Sequence, residues 1–197
     1  MFVRGDANHT IIIEKSRFIC YLRHCRSEAE YLDFLAVVRK KHFDASHVAS
    51  AYIGNKCRRS SDDKEPAGTA GVPILMVLEK NGLSDTAALV VRYFGGIKLG
   101  AGGLIRAYSQ AVSEAIKEAE IAEEVFCPKY RLTLSYADAE KIRRYLSENT
   151  AILDTAYEEE VSFTFLLLND NLKTICEYTK GLEPEYLGEE AYLKVIQ

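Results

Sequence analysis

Two stretches of this 197-residue chain hold most of the residue types that could do chemistry. The first is Arg58-Arg59-Ser60-Ser61-Asp62-Asp63-Lys64-Glu65-Pro66-Ala67-Gly68-Thr69-Ala70-Gly71. It lies in a polar, turn-rich segment over 54–72, long for a loop in a compact domain, and long loops are often functional. Its charges nearly cancel. One reading makes Asp62, Asp63 and Glu65 hard oxygen ligands for Mg²⁺. The other has Ser60, Ser61 and the aspartates accepting from nearby backbone N–H groups in turns. Ser61, Asp62, Asp63, Glu65 and Thr69, with His47 and Tyr52, are the candidate polar cluster. His47 and Tyr52 sit at the ends of an expected strand over 47–53. Their odd separation puts them on opposite faces.

The second stretch, Arg92-Tyr93-Phe94-Gly95-Gly96-Ile97-Lys98-Leu99-Gly100-Ala101-Gly102-Gly103-Leu104-Ile105-Arg106, packs five glycines into nine residues between a strand and a helix. Such a loop can aim successive N–H groups at one point, and the helix start adds unpaired N–H groups and a partial positive charge. No acidic residue occurs from Thr86 to Ser113, while Arg92, Lys98 and Arg106 are basic. Arg106 lies off the apolar stripe of Leu104, Ala107, Tyr108, Ala111 and Ala115. A cation near a helix N-terminus is disfavoured by up to about 1 kcal/mol, which an external anion would reverse. The pattern therefore points to an anion or nucleic-acid site of Arg92, Gly95, Gly96, Lys98, Gly102, Gly103 and Arg106, extended by Arg58 and Arg59. The competing reading gives the glycines to tight helix-on-sheet packing alone. Neither a Walker loop nor a G-x-G-x-x-G fingerprint is present.

The elements that must hold these residues follow from periodicity. A strand is expected over 16–22. A helix from the Ser27–Glu30 capping box to about Lys41 follows, with Tyr31, Phe34, Leu35 and Val38 inward. Strands are expected over 47–53, 73–79 and 86–94, then a helix from about Gly102 to Ala119. After Pro128 the pattern is strand 129–136, helix 138–148, a hairpin of 150–157 and 160–168 turning near Glu158-Glu159, helix 171–180 and strand 186–196. That order is β-α-β-β-α-β, the ferredoxin-like or split βαβ arrangement. The fold class is α+β, with a first domain over 1–125 and a ferredoxin-like second domain over 126–197.

Composition narrows the function classes. Hydrophobic residues are 48% and charged residues 27%, an ordinary globular balance. No apolar run approaches the roughly 20 residues of a membrane span, and the N-terminus does not read as a secretory signal, so a cytoplasmic protein is expected. Five cysteines without a C-x-x-C pair exclude a disulfide framework or zinc spacing and read as reduced thiols. Net charge is −4, against a wholesale nucleic-acid binder. The first 125 residues are close to neutral and the remainder carries the acidic excess, so an anion site belongs in the first half. No Ser-His-Asp or Cys-His set can be assembled. His9, His24 and His42 read as surface residues.

Several of these residues together resemble the IMPACT/YigZ family. They are Lys15-Ser16-Arg17-Phe18, His47 with Ala51-Tyr52, Arg59-Ser60-Ser61-Asp62-Asp63 with Glu65-Pro66 and Gly68-Thr69-Ala70-Gly71-Val72-Pro73, and Arg92 to Gly100 with Gly102-Gly103-Leu104 and Arg106-Ala107-Tyr108. The resemblance implies a first domain with the left-handed βαβ architecture of domain IV of elongation factor G, and a second similar to domain V. Eukaryotic relatives regulate translation through protein partners, using an additional N-terminal domain that this chain lacks. For the bacterial two-domain members the resemblance implies an RNA-, ribosome- or translation-linked role. The chain departs from the family pattern at Ala49, Lys64, Ala67 and Ala101, which lowers any reading that needs a nucleophile at positions 49, 67 or 101. The expectation is a non-enzymatic binding protein whose partner is RNA, the ribosome or a translation-related protein, with no cofactor. The alternative is a Mg²⁺-dependent enzyme acting on a phosphorylated small molecule or nucleotide.

Overall fold

In the computed structural model, which describes residues 1–55 and 57–196, the chain opens with a short strand β1 (Phe2–Val3) and a hairpin of β2 (Asp6–Ile13) and β3 (Ser16–His24). Glu14 and Lys15 turn the hairpin with φ of 46° and 63°, the left-handed pair whose twist suits a two-residue loop. Helix α1 (Glu28–Lys41) starts at Ser27, whose Oγ accepts from the Glu30 amide at 3.2 Å. The Glu30 carboxylate accepts from the Arg26 amide at 2.8 Å, one residue before the position the capping box leads one to expect. Then come β4 (His47–Ile53), β5 (Arg58–Ser61), α2 (Gly71–Lys80), β6 (Thr86–Tyr93) and α3 (Gly100–Glu118). The strands form one antiparallel sheet in the order β2-β3-β6-β4-β5.

Both faces of this sheet are covered. Side chains alternate across a strand, so β6 sends Ala88 and Val90 to the α2/α3 face and Ala87, Leu89 and Val91 to the α1 face. That is why β6 reads as a continuous apolar run rather than an alternating one. On the α1 side, Tyr31 and Tyr52 stack with ring centroids 5.2 Å apart. On the other side, Ile74 and Leu78 of α2 and Leu104, Tyr108 and Val112 of α3 close the core against Phe18, Cys20 and Leu22. Burial of a Leu or Ile at such a position stabilises by about 1.5–3 kcal/mol. His42, which reads as a surface residue, is half-buried between the Tyr21 and Tyr93 hydroxyls at 2.8 and 2.9 Å.

Three local expectations change. The apolar run 73–79, which reads as a strand, lies within α2: Gly71, Ile74 and Leu78 are buried on one face and Val72 and Met76 are exposed on the other. Periodicity alone does not separate a short buried strand from a buried helix turn. The segment 54–72, read as loop, contains β5 at the sheet edge; residue 56 lies outside the described residues. Strand β2 is an addition to the expected elements, because its burial alternates only between exposed and half-buried.

The described chain forms two compact units, Met1–Glu123 with the residues from Val195, and Glu124–Lys194. The boundary falls inside strand β7 (Ile121–Leu134), whose first two residues pair with β1. The second unit continues with α4 (Tyr136–Asn149), β8 (Thr150–Tyr157), β9 (Val161–Leu167), α5 (Leu172–Tyr178) and β10 (Glu185–Val195). Its strands lie in the order β10-β7-β9-β8, giving the β-α-β-β-α-β pattern. Its core gathers Leu132, Ile142, Leu146, Phe163, Phe165 and Ile175. Residue 197, the last of the expected second domain, lies outside the described residues. Among the described residues, no helix is long and apolar enough to cross a membrane.

Candidate functional site

Arg92 sits near the end of β6 with its side chain only 5% exposed. A buried guanidinium persists only where an anion and acceptors meet it. The anion is Glu65, 3% exposed, whose Oε1 accepts from Arg92 Nη1 at 2.7 Å. The same oxygen accepts from the Tyr108 hydroxyl of α3 at 2.8 Å. Burial, reinforced by the Glu65 charge, pushes the Tyr108 pKa far above the ordinary phenol value, so this hydroxyl stays a donor. Arg92 Nη2 reaches Ser16 Oγ at 3.5 Å, and the rings of Phe18 and Phe94 each lie 5.4 Å from the guanidinium carbon. Among the described residues, Arg92 Nε is the one buried side-chain donor with no hydrogen-bond partner.

The polar loop exists to deliver Glu65 there. The Glu65 amide donates to the Asp62 carbonyl at 3.0 Å, closing a turn whose central residues, Asp63 and Lys64, have φ of 44° and 70°. Two consecutive left-handed non-glycine residues cost energy that the surroundings must offset. The Asp62 carboxylate does so by accepting from the Gly68, Ala70 and Gly71 amides at 2.8–2.9 Å, which caps the start of α2. Partial burial would raise the Asp62 pKa, but the three N–H donors outweigh it and hold the pKa below the usual value. Asp63 Oδ2 accepts from the Val48 amide at 2.7 Å, and its Oδ1 from Arg39 at 2.9 Å. Ser61 Oγ accepts from the Asp63 amide at 3.3 Å, and Thr69 Oγ1 donates to the Pro66 carbonyl at 2.7 Å. A Cβ on Gly71 would lie 2.6 Å from the Ser61 amide nitrogen, so glycine alone permits this approach of helix to strand. Each carboxylate of the Mg²⁺ reading is thus engaged with protein donors, and no group of three or more His, Cys, Asp or Glu side chains among the described residues could hold a metal.

His47 pairs with Arg92 across β4 and β6. Its Nδ1 lies 2.8 Å from the Asp63 carbonyl oxygen. A carbonyl only accepts, so Nδ1 carries the hydrogen. Nε2 then faces Glu65 Oε1 at 3.8 Å, beyond hydrogen-bond distance. Tyr52, near the other end of that strand, is buried on the opposite face and belongs to the α1 core.

The glycine-rich stretch has divided duties. A Cβ on Gly95 would fall 2.1 Å from the Lys15 carbonyl carbon, and one on Gly103 would fall 2.9 Å from the Leu99 Cβ, so both glycines serve packing. Around Gly102 the nearest atom to a Cβ is Arg106 Nη1 at 3.7 Å, and Gly96 has open space and φ +86°. Helix α3 begins after Leu99 with no side-chain cap and no acid in its first turn.

Two clefts flank this helix start. The inner one, about 310 Å³, is lined by His47, Glu65, Pro66, Arg92, Phe94, Lys98, Leu99, Gly100, Ala101 and Leu104. The outer one, about 500 Å³, is lined by Ile13, Glu14, Ile97, Lys98, Leu99, Gly103, Arg106, Ala107 and Gln110. The structure therefore splits the expected basic set. Arg92 is internal and paired, Lys98 borders both clefts, and Arg106 borders only the outer one. Arg58 and Arg59 of β5 lie apart, paired with Glu79 at 2.7 Å and with Glu28 at 2.6 Å. Ser16, Phe18 and Tyr108 complete the Arg92 site. Among them Ser16 and Phe18 enter the sequence reading only through the family motif, and Tyr108 reads as core.

Comparison with known proteins matches the family model described as the Impact N-terminal domain over residues 14–116, and that described as a domain of unknown function (DUF1949) over residues 132–177. The chain is similar to IMPACT family member YvyE of Bacillus subtilis (strain 168), 40% identical over 200 residues, covering 98% of this chain and 92% of that protein. It is similar to IMPACT family member YigZ of Escherichia coli (strain K12), 36% identical over 152 residues, covering 74% of each. A solved structure described as a hypothetical protein has a TM-score of 0.61 and 28% sequence identity, covering all of this chain and 96% of that one.

Proposed function

The chain belongs to the IMPACT family, and from that premise we propose that it is a translation-linked binding protein, not an enzyme, that holds backbone phosphates of RNA at the outer cleft. The observation that carries this is the placement of Lys98 and Arg106 at one cleft beside the uncapped start of α3. Ion pairs of the first unit engage Arg4, Arg23, Arg39, Arg58, Arg59, Arg92 and Lys117, and Lys98 and Arg106 are in none among the described residues. Glu14 borders the same cleft and subtracts one charge, so the site suits a few phosphates rather than a long polyanion track. The translation link follows the eukaryotic members of the family, and correspondence of the two units to domains IV and V of elongation factor G would place such a surface near RNA.

Fluorescence anisotropy with a labelled single-stranded RNA, titrated at several salt concentrations, tests the reading. The parent should bind with an affinity that falls as salt rises. The Lys98→Ala, Arg106→Ala double variant should bind more weakly and flatten the log–log salt slope by about 1.4, roughly 0.7 for each phosphate left without its cation. Equal binding by both proteins refutes the RNA surface. Binding of acidic proteins but not RNA refutes it as well, and makes an acidic translation factor the partner.

A further inference from the structure

We propose that the inner cleft is a binding site in its own right, distinct from the RNA surface, for a small molecule carrying an oxyanion next to a hydroxyl or amino group. Four features of the cleft point the same way, and two of them, the unsatisfied Arg92 donor and the His47–Glu65 gap, involve no residue that borders the outer cleft.

The first is the unsatisfied donor. Arg92 lines the cleft, is almost wholly buried, and has one guanidinium N–H with no acceptor. Its Nη1 is held by Glu65 and its Nη2 only weakly by Ser16. A buried donor without a partner is uncommon, and a ligand acceptor that reaches it would remove the deficit. The second is the start of α3. Gly100 and Ala101 border the cleft, no side chain caps the helix, and its first amides have no intrahelical acceptor. Anions favour such a position.

The third feature is charge. Arg92 and Lys98 against Glu65 leave one net positive charge around the cleft, before the helix dipole is added. That matches one anionic group, not a chain of them. The fourth is the mismatch between His47 and Glu65. When the ring is neutral, with Nδ1–H committed to the Asp63 carbonyl, Nε2 presents a lone pair. That lone pair faces a carboxylate oxygen 3.8 Å away. Glu65 Oε1 is already met by Arg92 and Tyr108, so the acceptor left without a donor is Nε2, and a ligand hydroxyl or amino group supplies one. Phe94, Leu99 and Leu104 give the remaining wall an apolar character. At about 310 Å³ the cleft lies at the small end of the range for small-molecule sites.

The oxyanion could be a carboxylate or a phosphate, and the test separates them. The intact chain is titrated with four probes: acetate, lactate, inorganic phosphate and glycerol 3-phosphate. Binding is followed by the backbone amide signals of Gly100 and Ala101 and by the Arg92 Nε–H signal in ¹H–¹⁵N NMR. One pair should shift all three signals saturably, and within it the hydroxyl-bearing probe should bind about tenfold tighter, the worth of one buried hydrogen bond. In His47→Asn the amide keeps a donor for the Asp63 carbonyl and loses the Nε2 acceptor, so that tenfold preference should vanish. In Ala101→Glu a carboxylate occupies the cleft mouth at a position the helix dipole favours, so the fold should hold and all four probes should lose binding. Arg106→Ala should leave the probes unaffected while weakening RNA, which separates this site from the RNA surface. No saturable shift with any probe, or shifts that survive Ala101→Glu, overturns the site. Equal affinity for bare and hydroxyl-bearing probes overturns the donor contact to His47 Nε2.

Discussion

Removing Glu65 should damage the first unit far more than removing Glu65 and Arg92 together. In Glu65→Leu the guanidinium keeps its burial and loses its anion. Breaking a buried pair from one side costs about 3–5 kcal/mol, and the Tyr108 hydroxyl, which shares the same oxygen at 2.8 Å, loses its acceptor for about 1–3 kcal/mol more. In the Glu65→Leu, Arg92→Met double variant the stranded charge is gone and two apolar side chains of similar volume meet Phe18 and Phe94. Only the Tyr108 deficit remains, about 1–3 kcal/mol. Adding Arg92→Met to Glu65→Leu should therefore recover about 3–5 kcal/mol, the cost of the stranded charge. Native-state hydrogen exchange of the Val90 and Val91 amides on β6 reads the stability of this unit directly. Protection should fall by at least roughly two powers of ten in Glu65→Leu and recover most of that in the double variant. A single variant that loses less than about tenfold protection, or a double variant as unstable as the single, would refute the account of Arg92 as an internal charge held by Glu65.

Asp62→Asn should cost about 1 kcal/mol at neutral pH, the usual worth of a helix cap. The folded Asp62 pKa lies below its ordinary value. Its contribution is therefore present above the ordinary aspartate pKa of about 4 and is lost as pH falls through the lower folded value. The stability gap between parent and variant, measured by urea denaturation, should close on the acid side and not the alkaline one. Among the glycines, Gly95→Ala should prevent correct closure against Lys15, given the 2.1 Å approach of its Cβ. Gly102→Ala meets nothing nearer than 3.7 Å and should raise thermal stability, by the equivalent of about 0.8–1 kcal/mol for glycine to alanine within a helix. Thermal melts of the two variants, compared with the parent, check both signs.

Much of the scaffold is readable from residue spacing, because the strongest elements bury whole faces. Strand β6 and helix α3 show as a continuous apolar run and a five-residue stripe, and the second unit shows its β-α-β-β-α-β order. The run 73–79 misleads because Pro73, Ile74, Leu75, Met76, Val77 and Leu78 offer apolar side chains at both a period of 2 and a period of 3.6. The site is half legible. The segment around Asp62, Asp63 and Glu65 reads as polar and turn-rich, with backbone hydrogen bonding of the aspartates as one of two readings. Spacing cannot show that φ above zero at Asp63 and Lys64 swings Glu65 inward, because neither residue type demands that conformation. Nor can it show that Arg92 is interior. An arginine between Val91 and Tyr93 looks the same whether it faces solvent or a carboxylate 27 positions earlier in the chain.

The interior position of Arg92 also limits what the outer surface can do. With two cations at the cleft, the expected salt slope is about −1.4, so a fourfold rise in salt weakens RNA binding only about sevenfold. A protein with six to ten phosphate contacts loses orders of magnitude more over the same interval. The net charge of −4 gives no compensating long-range attraction. A measured slope near −1.4 therefore describes a contact that works as one arm of a larger assembly. A slope near −3 has a different source in the same unit: Arg58 and Arg59 are held by Glu79 and Glu28 in exposed ion pairs, and such pairs are worth only about 0–1 kcal/mol. A phosphate chain could take both arginines from their carboxylates at little cost. Glu28→Gln and Glu79→Gln would then steepen binding, whereas a surface confined to the outer cleft would ignore them.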